Sequence, residues 1–174
     1  IDVEENSIAF YLSYQKIVPL KTIVKTYLSL VVHASDLPHG KGFSPWVWQI
    51  LEGKNDIPVC LFKMDEGLDT GDIFAKKTLH LQGNELIEDI RIALAKLIKQ
   101  MIIQHLQQIE MPKCSPQIGD ATFYKRRSAL DSGLDISKPI IDQFNLLRVV
   151  DNDNYPAYFW HLDKKYILTI EKEK

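Results

Sequence analysis

The chain has 174 residues, 45% of them hydrophobic, and a formal net charge of −2 at pH 7. This is enough apolar material for one buried core with a small appendage, whereas the balanced charge offers no basic surface for nucleic acid or anionic membranes. Two distant cysteines predict neither a disulfide framework nor a metal site, and no apolar run reaches the roughly 18 residues of a membrane span. A cytoplasmic protein without a resident metal is expected.

The first half of the chain alternates between apolar strands and short helices. The predicted strands cover residues 8–14, 29–32, 57–62 and 73–81, and the predicted helices cover residues 20–27 and 46–51. Ser44, Pro45 and Gly53 supply the second helix with an N-cap, a proline at its first position and a glycine stop. The alternation predicts an α/β fold with a Rossmann-like, mostly parallel sheet.

A long helix follows. Apolar residues recur at helical spacing over residues 85–110, with Asn84 as the expected N-cap. This helix is long enough to cover a face of the sheet or to supply half of a homodimer interface. Residues 111–121 contain two prolines and a glycine, which is typical of a linker.

The pattern of residues 119–174 predicts a separate small unit. Residues 137–150 are predicted to be helical, and residues 157–170 are predicted to form a hairpin around Asp163 and Lys164. We therefore divide the chain into a core, residues 1–118, and a C-terminal α+β subdomain, residues 119–174.

Two motifs place a histidine and a carboxylate at the ends of predicted strands. In residues 32–38, VHASDLP, His33 follows an apolar run and should emerge from the C-terminal end of a buried strand. In residues 65–72, DEGLDTGD, Asp69 lies in a glycine-flanked loop after another strand. Because ligands of open α/β sheets bind at the carboxyl ends of strands, both side chains could face one crevice. A histidine held by a carboxylate is a standard acid/base device.

These motifs resemble those of the formyltransferases that use 10-formyl-tetrahydrofolate. That family has an Asn-x-His-x-Ser-Leu-Leu-Pro segment and an Asp-x-Gly-x-Asp-Thr-Gly-Asp loop, and this chain matches both at the right separation. The matching positions are His33, Ser35, Leu37, Pro38, Asp65, Gly67, Asp69, Thr70, Gly71 and Asp72. The similarity covers nearly the whole chain, with one departure, since the family's asparagine falls at Val31.

The family also has a strand–helix–strand portion before the equivalent of Ile8. This sequence lacks an initiator methionine and runs almost directly into a strand. We therefore expect the N-terminal part of the Rossmann-like core, and with it part of the cofactor pocket, to be missing from view.

The resemblance implies acyl transfer from 10-formyl-tetrahydrofolate to an amine through a tetrahedral oxyanion. His33 would act as the base or the oxyanion stabiliser, and Asp69 would orient it. The family's asparagine is the natural oxyanion donor, and Val31 cannot donate a side-chain hydrogen bond. Three alternatives stay open: protonated His33 acts alone; Ser35, Lys41 or a backbone N–H substitutes; or the chain is catalytically weak.

The resemblance also implies the binding residues. The folate would contact the segment after the first strand and the loop before Asp69, at Tyr14, Lys16, Val18, Met64, Asp65 and Leu68. Gly67 would allow a close backbone approach to the pterin edge. Ser35, Lys41 and Arg126 are the candidates for contacts with the acceptor, although Arg126 could equally be a solvated surface cation.

The acceptor is predicted from the tail. The methionyl-tRNA enzymes of the family carry a full, basic C-terminal barrel, whereas only about fifty residues follow the linker here, and they end in a charge-balanced EKEK. This favours the amine of a nucleotide-linked 4-amino-4,6-dideoxy sugar, destined for a surface glycan, over transfer RNA. The alternative outside catalysis is a folate- or nucleotide-sugar-binding module that kept the fold after losing the asparagine.

Overall fold

A four-stranded sheet lies at the centre of the computed structural model, which describes residues 3–14, 18–108 and 113–173. The strands are β1 (Ile8–Tyr11), β2 (Leu28–His33), β3 (Lys41–Gly42), β4 (Asp56–Lys63), β5 (Ile73–His80), β6 (Phe123–Tyr124), β7 (Ala157–His161) and β8 (Lys164–Leu168). The helices are α1 (Leu20–Ile23), α2 (Pro45–Leu51), α3 (Ile87–Leu106) and α4 (Phe144–Leu147).

The order in the central sheet is β1-β2-β4-β5. Strands β1 and β2 pair in parallel, whereas β2 with β4 and β4 with β5 pair antiparallel. The α/β class is confirmed, but the pairing is mixed rather than mostly parallel. Only residues 64–72 join β4 to β5, which is too short for the crossover of a dozen or more residues that a parallel pair requires.

The two faces of the sheet have different roles, because side chains alternate along each strand. Leu30 and Leu61 point into the main core, where they join Ile90 and Met101 of α3. Phe62 and its neighbour Cys60 point to the opposite face and form a smaller apolar cluster with Leu37. Since His33 pairs with Cys60 across β2 and β4, the histidine lies on this second face.

The predicted strands after the first are found with shifts of at most one residue at either end, but α1 ends early. Its expected span to residue 27 is wrong, because a cluster of β-branched residues follows and Thr26 bonds its hydroxyl to the Ile23 carbonyl at 2.8 Å. Strand β1 also ends early, at Tyr11.

The expected cap positions are confirmed at α2 and wrong at α3. Ser44 is the N-cap of α2, Pro45 is its first residue and Gly53 follows its end with φ 91°, although Ser44 is left-handed and makes no side-chain cap hydrogen bond. Helix α3 begins after Leu86, not Asn84, and the Asp89 carboxylate accepts the Leu86 N–H at 3.0 Å. Residues 109–112, where the helix was expected to end and the linker to begin, lie outside the described residues. In the described ranges, no helix is long and apolar enough to cross a membrane.

The predicted helix over residues 137–150 is wrong. Only a 3-10 turn, Ile141–Gln143, and the four-residue α4 form, because Pro139 lacks an N–H and residues 135–139 form a turn instead. The predicted hairpin is present as β7 and β8. Its turn is at Leu162 and Asp163, one residue earlier than expected, and both have the positive φ of a tight hairpin turn.

The C-terminal segment is packed into the rest of the chain. Val149 belongs to the main core, and β6 pairs in parallel with β3. Arg148 is 1% exposed and donates to Asn55 Oδ1 at 2.7 Å and to Glu85 Oε2 at 3.0 Å. The division of the chain at residue 118 stays a prediction.

Candidate active site

His33 ends β2 with a fixed tautomer. The side chain is buried, and Nε2 lies 2.9 Å from the carbonyl oxygen of Gly40. Because a carbonyl oxygen only accepts, Nε2 carries a proton and donates to it. In the neutral ring the lone pair is then on Nδ1, which lies 3.8 Å from Oδ2 of Asp69.

Asp69 lies close to His33, as expected. The predicted cause, that both follow the carboxyl ends of strands at the same end of the sheet, is wrong. Strand β4 runs antiparallel to β2, and its last residue, Lys63, pairs with Leu30 rather than with His33. The carboxyl ends of β2 and β4 therefore point to opposite ends of the sheet along the strand direction. Residues 64–72 fold back over the sheet and carry Asp69 to the histidine.

The carboxylate of Asp69 is held from one side by backbone. Asp69 adopts the left-handed conformation, with φ 53°, which is uncommon for a residue other than glycine. Its Oδ2 accepts the Gly42 N–H at 2.9 Å. The separation of 3.8 Å from His33 Nδ1 is too long for a hydrogen bond, so the Asp69 carboxylate faces Nδ1 without bonding to it.

The loop that carries Asp69 is tied together internally. Oδ1 of Asp65 accepts the Gly67 N–H at 3.0 Å and the Thr70 hydroxyl at 2.6 Å. A side chain at Gly67 would collide with Thr70, and one at Gly71 would collide with the Lys63 carbonyl. Both glycines are therefore required by contacts within the protein itself.

The predicted folate contacts are spread over two segments. Met64 begins the loop and donates its N–H to the Ser29 carbonyl at 2.8 Å, and Leu68 is exposed at the loop surface. Tyr14 is exposed and Val18 is buried. Lys16 lies outside the described residues.

Two residues predicted to contact the acceptor, Ser35 and Lys41, are buried in or next to residues 34–40, which we call the His33 loop. Ser35 is 1% exposed, and its Oγ has no hydrogen-bond partner among the residues the structure describes. Its carbonyl accepts the thiol of Cys60 at 3.0 Å, and burial raises the pKa of that thiol. Lys41 is 6% exposed, and its ammonium makes no ion pair within the described ranges.

Val31 faces an apolar neighbourhood. Its side chain packs against Leu37, Cys60 and Phe62 on the face that carries His33. The position where the family has its asparagine is therefore built for a hydrocarbon side chain.

Arg126 lies against an aromatic side chain near β3. Its guanidinium is 5.1 Å from the ring centroid of Phe43, and Trp48 stacks on Tyr124 nearby with centroids 6.3 Å apart. Tyr124 donates its hydroxyl to Glu52 at 2.8 Å, and burial together with that carboxylate raises the pKa of the phenol.

Sequence reasoning missed two residues of this site, Gln117 and Thr122. Both lie in or just after the stretch predicted to be a linker, yet Gln117 contacts the Asp69 loop and Thr122 contacts the His33 loop. Across residues 3–14, 18–108 and 113–173, no group of three or more His, Cys, Asp or Glu side chains could hold a metal ion.

The curated relatives of this chain include methionyl-tRNA formyltransferases. The protein from Rickettsia felis is 32% identical over 123 residues, which are 70% of this chain and 41% of the relative. A second, from Prochlorococcus marinus, is matched over 31% of its length. The chain thus spans between about a third and two fifths of the curated relatives it matches.

Solved structures match nearly the whole chain. Methionyl-tRNA formyltransferase from Clostridium thermocellum superposes with a TM-score of 0.79 and 27% identity, over 95% of this chain and 72% of that one. WlaRD, a sugar 3N-formyl transferase solved in the presence of dTDP and 5-N-formyl-THF, has a TM-score of 0.68 and 22% identity. That match covers 82% of this chain and 53% of the other, and at this identity it shows the fold alone.

The family match covers the sheet, α3 and both motif loops. Residues 4–106, more than half of the chain, match the family described as formyl transferase. The two strand-end motifs and the fold agree with that match. The chain therefore belongs to the formyl transferase family.

Proposed function

We propose that this chain forms the catalytic region of a folate-dependent N-formyltransferase, in which His33 and Asp69 carry the chemistry. The observation that carries the proposal is the state of the His33 ring. Its Nε2 proton is committed to Gly40, whereas Nδ1 makes no hydrogen bond within the described residues and faces the partly buried carboxylate of Asp69.

The chemistry follows from this arrangement. The acceptor amine attacks the formyl carbon of 10-formyl-tetrahydrofolate, and Nδ1 of His33 takes the proton that the amine releases. The imidazolium is stabilised by Asp69 and returns the proton to the departing folate nitrogen. A base positioned in this way contributes about 10²–10⁴ in rate.

The oxyanion needs a donor other than residue 31. Since Val31 packs in an apolar cluster, we assign the stabilisation to protonated His33, aided by a nearby polar group. Two candidates for this group are the Ser35 hydroxyl, which has no partner among the described residues, and the ammonium of Lys41, whose residue is largely buried.

The folate contacts remain those expected from the resemblance: Tyr14, Lys16, Val18, Met64, Asp65 and Leu68. Because the Asp65 carboxylate already binds its own loop, its part in folate binding would be to shape the loop backbone. A formylated tetrahydrofolate as donor is implied by the resemblance of the two motifs, and the family match over residues 4–106 supports formyl transfer.

We further propose a nucleotide-linked amino sugar, of the 4-amino-4,6-dideoxy class, as the acceptor. Residues 119–174 contain nine Lys and Arg against nine Asp and Glu, so they present no excess of positive charge. Several of these cations are already paired, in Lys125–Asp131, Lys138–Asp135, Arg148–Glu85 and Lys172–Asp89. Arg126 and Lys41 are candidates for the acceptor's phosphates.

Methionyl-tRNA is the second candidate, because the curated relatives from Rickettsia felis and Prochlorococcus marinus are methionyl-tRNA formyltransferases. The charge balance of residues 119–174 argues against a large phosphate footprint in this segment.

The test is an assay of the full-length protein with 10-formyl-tetrahydrofolate and each acceptor in turn: dTDP- and UDP-linked amino sugars and methionyl-tRNA. Mass spectrometry detects the formylated product. We expect turnover with an amino sugar, lost in His33→Ala. Turnover with methionyl-tRNA but with no amino sugar would overturn the proposal of an amino-sugar acceptor. Folate binding without turnover on any amine would favour the binding-module alternative.

A further inference from the structure

One extended segment, residues 115–124, touches both loops of the candidate site; we call it the bridging segment. It starts at the edge of the sheet, where Ser115 and Ile73 exchange two backbone hydrogen bonds of 2.8 and 2.9 Å. It ends in β6, where the Tyr124 carbonyl accepts the Phe43 N–H at 3.2 Å. Both ends of the segment are therefore fixed.

Gln117 is the contact of the bridging segment with the Asp69 loop. Its Nε2 donates to the carbonyls of Asp69 and Gly71, each at 2.9 Å. Its Oε1 is buried and has no partner among the described residues. Turning the amide over would place Oε1 against two carbonyl oxygens and lose both bonds, so this orientation is set by the loop it holds.

Thr122 is the contact with the His33 loop. Its Oγ1 accepts the Gly40 N–H at 2.8 Å, and its carbonyl accepts the Lys41 N–H at 2.9 Å. The carbonyl of Gly40 in turn accepts the proton of His33 Nε2. Thr122 thereby fixes the peptide that selects the histidine tautomer.

From these contacts we propose that Gln117 and Thr122 are positioning residues that set the placement of Asp69 relative to His33. Gln117 holds the left-handed backbone of Asp69, and Thr122 holds the loop from which Gly40 and Gly42 bind the two side chains. Neither residue needs to touch a substrate. The inference rests on the proposed function for its effect on turnover, but not for its effect on structure.

The expected size of the effect follows from the geometry. Without Gln117 the Asp69 backbone loses the donor that holds it in a costly conformation, and the carboxylate can move. A displacement of about 1 Å in a catalytic group can cost about 10²-fold in rate. We therefore expect a loss in kcat rather than in substrate affinity.

The central variant is Gln117→Met, which keeps the length of the side chain and removes the donor. We expect kcat to fall by about 10- to 100-fold with KM for both substrates within about threefold. Amide exchange at Gly42 should accelerate, because its acceptor on Asp69 moves. The matched control is Gln143→Met, since Gln143 also bridges backbone carbonyls, those of Asp135 and Lys138, in a distant turn. It should change neither quantity.

Thr122 gives an independent pair of variants. Thr122→Val keeps the shape and removes the acceptor for Gly40, and Thr122→Ser restores it. We expect the first to lower kcat and the second to recover it, with Gly42 exchange following the same order. This pair decides the proposal should Gln117→Met fail to fold.

An unchanged kcat together with unchanged Gly42 exchange in a folded Gln117→Met or Thr122→Val protein would overturn the proposal. A rise in KM at constant kcat would also overturn it, because it would mean a binding role. If the wild-type protein transfers no formyl group, the proposed function fails, and the Gly42 exchange rates still decide whether the bridging segment places Asp69.

Discussion

Nδ1 of His33 faces Oδ2 of Asp69 at 3.8 Å, while Nε2 of the same ring is held by the Gly40 carbonyl. This relationship assigns different work to the two nitrogens. Nε2 keeps its proton and anchors the ring, and in the proposed reaction Nδ1 is the atom that gains and loses a proton.

Replacing His33 with alanine should abolish transfer while the protein stays folded. Removal of a positioned base should lower kcat by about 10²–10⁴. The matched control is His80→Ala, because His80 also pairs with a carboxylate, that of Asp56 at 2.7 Å, but at the surface. Steady-state kinetics and circular dichroism of both variants check this. A His33→Ala protein that keeps more than a tenth of wild-type turnover contradicts the role.

Placing asparagine at Val31 should not restore a missing function. Val31 is partly buried and packs against Leu37, Cys60 and Phe62, so a polar amide at this position should lower stability by up to about 1–3 kcal/mol. We expect turnover to rise by less than tenfold. Urea unfolding and kinetics measure both effects, with Val31→Thr as the control of similar shape. A rise of about 10²–10³ in kcat would show that the oxyanion donor is missing from the wild-type protein.

Gly42 and Gly53, which have nearly equal φ, allow the effect of backbone strain to be distinguished from that of a steric clash. Gly42 has φ +96° and Gly53 has φ +91°, so alanine at either position costs about 1–2 kcal/mol of strain. At Gly42 the added carbon would also come within 2.6 Å of the Tyr124 carbonyl, whereas nothing lies within 4 Å at Gly53. Gly42→Ala should therefore lose additional stability and most of its activity, because its N–H binds Asp69. Equal thermal shifts and equal kcat in the two variants would contradict this.

The free energy of unfolding should depend on pH in the acidic range because of Asp151. A hydrogen bond from Arg91 at 2.8 Å, aided by N–H groups of Asp153 and Asn154, lowers the pKa of this carboxyl from 3.8 to about 2. Because the folded pKa is the lower one, the stabilisation is complete above pH 4 and is lost as the pH falls toward 2. It amounts to about 2 kcal/mol at neutral pH.

Asp151→Asn should therefore unfold about 2 kcal/mol more easily than the wild type at pH 7, and the difference should shrink between pH 4 and 2. Denaturant unfolding over this pH range measures it. Asp142→Asn, which changes an exposed aspartate, is the control. A difference that is constant with pH would mean that the loop geometry of Asp151, not its charge, is responsible.

The parts of this fold that follow local rules could be predicted. The apolar run that ends at His33 is a strand, and the helical spacing of the long α3 is found as expected. Pro139 did carry a signal against the wrongly predicted C-terminal helix, because proline interrupts helical hydrogen bonding. The prediction relied on the helical spacing of the apolar residues and gave Pro139 too little weight.

Contacts between distant parts of the chain could not be predicted in this way. Gln117 meets the carbonyl of Asp69 across 48 residues, and no local pattern distinguishes it from a linker glutamine. The meeting of Asp69 and His33 was expected from parallel strands, but it arises from a loop that folds back beside an antiparallel strand. The pair was recognisable only because both motifs resemble one family.

The burial of Arg148 limits how such a protein can be rebuilt. A chain cut at residue 118 would leave Glu85 and Asn55 without their shared cation and would open the main core at Val149. If the C-terminal segment were exchanged for that of a relative, the new segment would have to supply a guanidinium in place of Arg148 and an apolar side chain in place of Val149. The acceptor specificity of the proposed function would therefore change more readily through substitutions on the outer surface of this segment than through its wholesale replacement.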